Sequence, residues 1–244
     1  MFYEYITCNS KLNMTNLSII IPTKNEAESL IVLLEELKKY KEIIGEIIIV
    51  DAKSTDKTLE VAKKYNCITI SQEQRIGYGD AIIRGVNHSS FEYSLILDGD
   101  GSKNPIYITT LLKKIIDTNS EFIFAERYGI NADSLDDTLF TFIGNRIFTY
   151  LGKIFFNLKL NDILHTFFIC KNLSFKKILF SHYNFGFCVE LPIKVQKYKL
   201  KYNTLPTIER KRIAGQVKVR SLVDGAKILK SMIILFFTTI GKEF

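Results

Sequence analysis

The first half of the chain alternates between two hydrophobic periods. Residues 17–21 form a short β-branched run closed by Pro22, the pattern of a buried strand. Residues 26–39 then place Leu30, Leu33, Leu34 and Leu37 on one face of a helix, with Asn25 as its expected N-cap. The alternation repeats, with strands predicted over 46–50, 67–70, 93–97 and 121–125 and helices over 57–65, 77–87 and 105–118. Apolar strands alternating with amphipathic helices predict an α/β fold, a mainly parallel sheet with helices on both faces. In such sheets ligands bind beyond the carboxyl ends of the strands.

The second half is less regular. Residues 139–156 are apolar but interrupted by Gly144-Asn145-Arg146 and Gly152-Lys153, so a packed helix is expected there rather than a membrane span. A helix over 185–198 around Glu190, a strand over 201–205 and an apolar helix over 222–240 follow. Between the last two lies a basic run containing Arg210, Lys211, Arg212, Lys218 and Arg220. With no internal repeat or low-complexity linker, the expected organisation is an extension over 1–16, one domain over 17–221 and an apolar C-terminal segment over 222–244.

Composition narrows the classes. The 244 residues are 47% hydrophobic and 24% charged, enough to bury a substantial core. The net charge of +7 favours acidic partners such as nucleic acid, an anionic membrane surface or phosphorylated substrates. Cys8, Cys67, Cys170 and Cys188 show no CxxC spacing, so reduced thiols in a cytoplasmic setting are expected rather than structural zinc. The N-terminal residues include Glu4 and lack a basic stretch followed by an apolar one, so no secretory signal is expected. No stretch is apolar enough for an ordinary transmembrane helix.

The candidate chemistry collects at the predicted strand ends. Asp98-Gly99-Asp100 follows the strand over 93–97. Side chains two apart on an extended chain share a face, so the two carboxylates can converge. They repel unless a cation lies between them, and a hard divalent ion such as Mg²⁺ with a phosphate-bearing substrate fits such a site. A solvated Asp-Gly turn closing a hairpin is the alternative. Pro22-Thr23-Lys24-Asn25-Glu26 and Asp51 end two further strands, where they can contact a base or ribose or simply cap a helix and close a turn. Arg127 can clamp a phosphate bidentately or pair with Glu126 or Asp133. Acids at these positions oppose a nucleic-acid partner.

Taken in order, these segments resemble family 2 glycosyltransferases of the GT-A fold. Leu17 to Leu30 (LSIIIPTKNEAESL) looks like that family's opening, Ile48 to Thr58 (IIVDAKSTDKT) its second landmark, and Leu97-Asp-Gly-Asp-Gly-Ser102 its metal-binding DxD. Within the family, the dolichyl-phosphate mannosyltransferase-like, or polyprenyl-phosphate, subgroup is the nearest likeness. Ala125-Glu-Arg-Tyr128, Ile143-Gly-Asn-Arg-Ile147 with Asp162, the aromatic segment from Phe185 to Glu190, and Pro206 to Lys218 are similar to its later motifs. Three segments depart from it: His165-Thr-Phe-Phe-Ile169 replaces a Thr/Ser-Gly-Phe-Arg segment, Val217 stands where serine is usual, and Ala52-Lys53 replaces an acidic or glycine-bearing pair.

The resemblance implies a metal-dependent inverting hexosyltransferase. It would use a nucleotide sugar, GDP-mannose or UDP-glucose, and a polyprenyl (dolichyl) phosphate acceptor. Residues 17–128 would form the nucleotide-sugar half and 129–221 the acceptor half. Pro22, Thr23, Asn25, Glu26, Asp51 and Gly99 would line the nucleotide-sugar site, and Asp98 and Asp100 would hold Mg²⁺ or Mn²⁺ against the diphosphate. Arg127 would act with them in catalysis, while Arg146, Asp162, Glu190, Arg212 and Lys218 would serve the acceptor and its phosphate. A sugar hydroxyl is the alternative acceptor, and a non-catalytic nucleotide-sugar-binding subunit the alternative class. The lysine-bearing segment over 226–240 suits the plane of a membrane interface, giving a peripheral protein on the cytoplasmic face; a core helix or a docking face for a membrane subunit or second copy is the alternative.

Overall fold

The computed structural model describes residues 17–73, 77–214 and 221–240. Strands β1 (Leu17–Thr23), β2 (Ile44–Asp51), β3 (Ile68–Ser71) and β4 (Tyr93–Ile96) alternate with helices α1 (Ala27–Leu37), α2 (Thr58–Lys64) and α3 (Tyr78–His88). After α4 (Ile108–Asp117) come β5 (Phe122–Glu126), the short β6 (Asp133–Ser134) and the long α5 (Leu139–Phe156). The chain then forms β7 (Phe168–Lys171), α6 (Asn172–Lys176), α7 (Phe187–Lys197), β8 (Tyr202–Pro206), β9 (Ile208–Glu209) and α8 (Ser221–Ile240).

Seven strands form one sheet in the order β3-β2-β1-β4-β7-β5-β8, and β6 and β9 form a separate parallel pair. Every neighbour pair in the large sheet is parallel except those made by β7, which runs antiparallel between β4 and β5. The alternation in β1 shows why both faces are covered. Ile19 and Ile21 join a core cluster with α1 and α4, while Ile20 points into a second with α3 and α7.

Three sequence expectations change. Strand β7 was not anticipated: Phe168-Ile169-Cys170 is a short buried run without local partners, and its role depends on pairing with strands far away in sequence. The helix expected over 105–118 begins as a 3-10 turn, Pro105–Tyr107, capped by the Asn104 side chain, before α4. Asn25 does not cap α1. It adopts a left-handed backbone (φ 54°) and its Oδ1 accepts from the Thr55 amide at 2.8 Å. Helix α5 packs on the fold as expected, but along one narrow face, with only Thr149 and Gly152 fully buried on it.

Helix α5 starts with a reciprocal capping box between Thr138 and Thr141. Its inner residues Phe148, Leu151 and Phe156 pack with Ile228, Met232 and Leu235 of α8 and with Val189 and Ile193 of α7. The other faces of α5 and α8 are apolar and open: Leu139, Ile147, Tyr150 and Ile154 on one, Leu229, Ile233 and Phe237 on the other. Among the described residues no helix is long and apolar enough to cross a membrane.

Candidate active site

A pocket of about 680 Å³ opens beyond the carboxyl ends of β1 and β4. Its walls include Pro22 and Thr23 at the end of β1, Glu26 just after it, the Asp98–Asp100 turn after β4, Arg127 after β5, and Glu209 and Arg212 near β9. Thr138, Thr141 and Asn145, at the start of α5, line another side.

Asp98 and Asp100 do not converge by strand alternation. The chain leaves β4 at Ile96, and the Gly101 amide returns to the Asp98 carbonyl at 3.1 Å, closing a turn. This turn leads toward α4 and closes no hairpin. Gly101 supplies the positive φ of 75° it needs. A side chain on Gly99 would come within 3.0 Å of Thr23 Cγ2 and 3.1 Å of Glu26 Cγ, so glycine lets the turn lie against the β1 end. On its other side the turn is held by backbone bonds from Arg210 to Ser102 and from Ile213 to Asp100.

Each carboxylate takes its hydrogen bonds from the protein on Oδ1. Asp98 Oδ1 accepts from Tyr78 Oη at 2.7 Å and lies 3.0 Å from Lys103 Nζ. Asp100 Oδ1 accepts from the Ser102 amide at 3.0 Å, and its Oδ2 is 3.7 Å from Arg212 Nη1. Burial, and then the neighbouring Asp98 charge, raise the Asp100 carboxyl above its ordinary range. The lining carboxylates also outnumber the lining cations. Hard oxygen donors with surplus negative charge fit Mg²⁺ or Mn²⁺. Among the described residues no group of three or more His, Cys, Asp or Glu could hold such an ion alone, so water and substrate phosphates would complete its shell.

Arg127 has neither partner considered from sequence. Its guanidinium meets Asp162 through two bonds, Nε–Oδ2 at 2.7 Å and Nη2–Oδ1 at 3.2 Å, and meets Glu209 at 3.3 Å. Burial disfavours its charge, but Asp162 and Glu209 outweigh this and fix it as a cation. Asp162 therefore serves Arg127 rather than facing a ligand, and the pocket meets an arginine already neutralised. Arg212 pairs with Asp136 and reaches toward Asp100.

Other expected site residues lie apart. Asp51 does not line the pocket; it braces Thr23 Oγ1 at 3.1 Å and accepts from Ser54. Asn25 is occupied with Thr55. Arg146 is exposed, 5.9 Å from the centre of the Tyr128 ring, and lines no part of the pocket. Glu190 is a correction: it is fully buried, accepts from the Ser181 and His182 amides at 2.8 and 2.7 Å, and pairs with Lys194, so it supports the 181–182 turn and cannot serve an acceptor phosphate. Lys218 lies outside the described residues.

Sequence reasoning missed Lys103 and His165. Lys103, five residues past Asp98, reads as a surface lysine, yet its side chain is 1% exposed. His165 lines the pocket, and its buried Nε2 has no hydrogen-bond partner. Burial, Arg127 and Lys103 push its pKa well below the usual histidine value, so it is neutral.

Known proteins resemble the chain in sequence or in fold to different extents. The archaeal glycosyltransferase AglJ of Haloferax volcanii is 26% identical over 192 residues, 78% of this chain and 61% of that protein. The dolichol-phosphate mannosyltransferase of Pyrococcus furiosus is 32% identical over 116 residues, 46% of this chain and 33% of that one. The chain thus spans less than two thirds of the length of either relative. In fold it superposes on glucosyl-3-phosphoglycerate synthase from Mycobacterium tuberculosis with a TM-score of 0.74, at 14% identity, covering 91% of this chain and 80% of that one. Residues 18–179 match the Glycosyl transferase family 2 sequence family, and the protein is a member of that family with the corresponding α/β fold.

Proposed function

We propose that the protein is a metal-dependent inverting glycosyltransferase that moves a hexose, mannose or glucose, from GDP-mannose or UDP-glucose to a polyprenyl phosphate at a membrane surface. The observation that carries the reading is the Asp98–Asp100 turn, set at the carboxyl end of β4 inside a pocket that also contains Lys103 and Arg212. The fold neighbour lends support, since its crystal structures carry UDP with Mn²⁺ or Mg²⁺.

Asp98 and Asp100 would hold the ion, which offsets negative charge on the departing nucleoside diphosphate. Pro22, Thr23 and Glu26 lie where they would receive the nucleoside, with Asp51 bracing Thr23 from behind. Arg212 would be the cation that meets a phosphate, since its side chain is 24% exposed against 10% for Arg127, although it also pairs with Asp136. Arg127 positions rather than clamps, tying Asp162 and Glu209 together beneath the pocket. A phosphate acceptor is an anionic nucleophile near neutral pH and needs no strong base. One in-line displacement inverts the anomeric centre.

The lipid acceptor draws support from the open apolar faces of α5 and α8. They belong to helices that pack on each other, with Phe155 and Phe236 rings 5.5 Å apart, and α5 begins at the pocket wall. Apolar helix faces beside a basic segment suit a bilayer interface. A sugar-hydroxyl acceptor is the second reading, favoured by His165, whose neutral imidazole lines the pocket with a buried Nε2 that can accept a hydrogen bond from a hydroxyl.

Purified protein with Mn²⁺ and labelled GDP-mannose or UDP-glucose tests the proposal. Label should enter the organic phase only when polyprenyl phosphate is present. Turnover indifferent to that lipid would remove the acceptor reading, and absence of both transfer and donor hydrolysis would remove the catalytic one.

A further inference from the structure

We propose that Lys103 is a positioning residue that weakens the nucleotide-free metal affinity of the Asp98–Asp100 turn, so that a divalent ion is held firmly only together with a nucleoside diphosphate. The inference rests on the proposed metal-dependent reading of that turn.

The Lys103 side chain is anchored on every available side. Its Nζ lies 2.9 Å from the Thr166 carbonyl oxygen, 3.1 Å from Thr166 Oγ1, 3.1 Å from Tyr78 Oη and 3.0 Å from Asp98 Oδ1. Tyr78 Oη donates to the same carboxylate oxygen and also bonds Thr166 Oγ1 at 2.5 Å. A buried ammonium persists where it is paired and hydrogen-bonded in this way. Two consequences follow from this geometry. Both groups engage Oδ1, which fixes the rotation of the Asp98 carboxylate and leaves Oδ2 outside these contacts. In addition, a full positive charge touches one of the two carboxylates available to an ion.

The other carboxylate is also flanked, with Arg212 at 3.7 Å from Asp100 Oδ2. A divalent ion entering alone therefore meets two carboxylates that each have a neighbouring cation, and no third acidic, His or Cys ligand completes the group among the described residues. A diphosphate supplies the missing negative charge and oxygen ligands. Lys103 then changes from a competitor of the ion into a favourable neighbour of the added anion.

The test is Mn²⁺ binding to the whole protein, followed by electron paramagnetic resonance of the free ion, first alone and then with UDP or GDP. In the wild type, either diphosphate should tighten Mn²⁺ binding at least tenfold. Removing a unit charge one carboxylate away from a divalent ion is worth about tenfold in affinity even with water-like screening. Lys103→Met and Lys103→Gln should therefore tighten nucleotide-free Mn²⁺ by about that factor and shrink the diphosphate effect, while Lys103→Arg stays near the wild type. Glutamine retains hydrogen-bonding capacity toward Thr166 and Tyr78, which keeps the test open where methionine disturbs folding. A purely structural lysine predicts the opposite sign, looser Mn²⁺ binding in both neutral variants, and that result or an unchanged affinity overturns the proposal. Wild-type protein that binds no Mn²⁺ with either diphosphate would remove the metal reading of the turn, and the role of Lys103 with it.

Discussion

Arg127 and Asp162, 35 positions apart in sequence, form a two-bond ion pair at 2.7 and 3.2 Å in which the Asp162 side chain has no solvent exposure. The pair joins the end of β5 to the segment before β7, across the place where the antiparallel strand enters the sheet. Truncating one partner leaves a buried charge partly uncompensated. Asp162→Ala should lower unfolding stability by about 3 kcal/mol in urea titrations, the lower part of the usual range because Glu209 still contacts Arg127. A loss under about 0.5 kcal/mol, the level of an ordinary surface substitution, would mean that the pair is not a structural tie.

Glu190 gives a pH signature. Burial alone would raise its carboxyl, but hydrogen bonds from His182 and Lys194 and the backbone amides of His182 and Ser181 bring it down from 4.5 to about 2. A group with a lowered folded-state pKa stabilises the fold above its unfolded value and loses that contribution as pH falls through the folded one. Glu190→Gln should therefore unfold more easily than the wild type at pH 7. The gap should close as pH drops from about 4.5 toward 2. A gap that stays constant across that window would contradict the assignment of Glu190 as a buried anion.

The open face of α5 separates a membrane surface from a covered core. Ile147 and Ile154 are 54% and 55% exposed. The double change Ile147→Glu with Ile154→Glu should leave the melting temperature within about 2 °C of the wild type, as expected for surface positions. It should also cut sedimentation with anionic phospholipid vesicles by about tenfold, through lost apolar insertion and added repulsion. A large fall in melting temperature with unchanged vesicle binding would show that another part of the protein covers this face.

The sequence made some of this legible for physical reasons that can be named. The runs in β1, β2 and β4 are apolar on both faces, so their periodicity survives without tertiary information. The acids at their ends were visible because a parallel sheet directs ligands there. Strand β7 was not legible, since Phe168–Lys171 acquires its strand character by pairing with Tyr93–Leu95 and Phe122–Phe124. Lys103 escaped notice because nothing local distinguishes a buried lysine from a solvated one; its partners Tyr78 and Thr166 come from α3 and from the segment preceding β7. Glu190 was assigned by likeness to an acceptor motif, and only the fold shows that its carboxylate turns inward to the 181–182 amides.

The central claim is that Asp98 and Asp100 hold a divalent ion against the diphosphate of a nucleotide sugar. A ligand that binds only the folded state raises its apparent stability, so a thermal-shift panel of UDP- and GDP-sugars with and without Mn²⁺ measures this directly. At least one nucleotide sugar should raise the melting temperature only when Mn²⁺ is present, and Asp100→Asn should lose that metal-dependent increment while keeping its own ligand-free melting temperature. An undiminished increment in Asp100→Asn, or no metal-dependent increment with any nucleotide sugar in the wild type, would contradict the account.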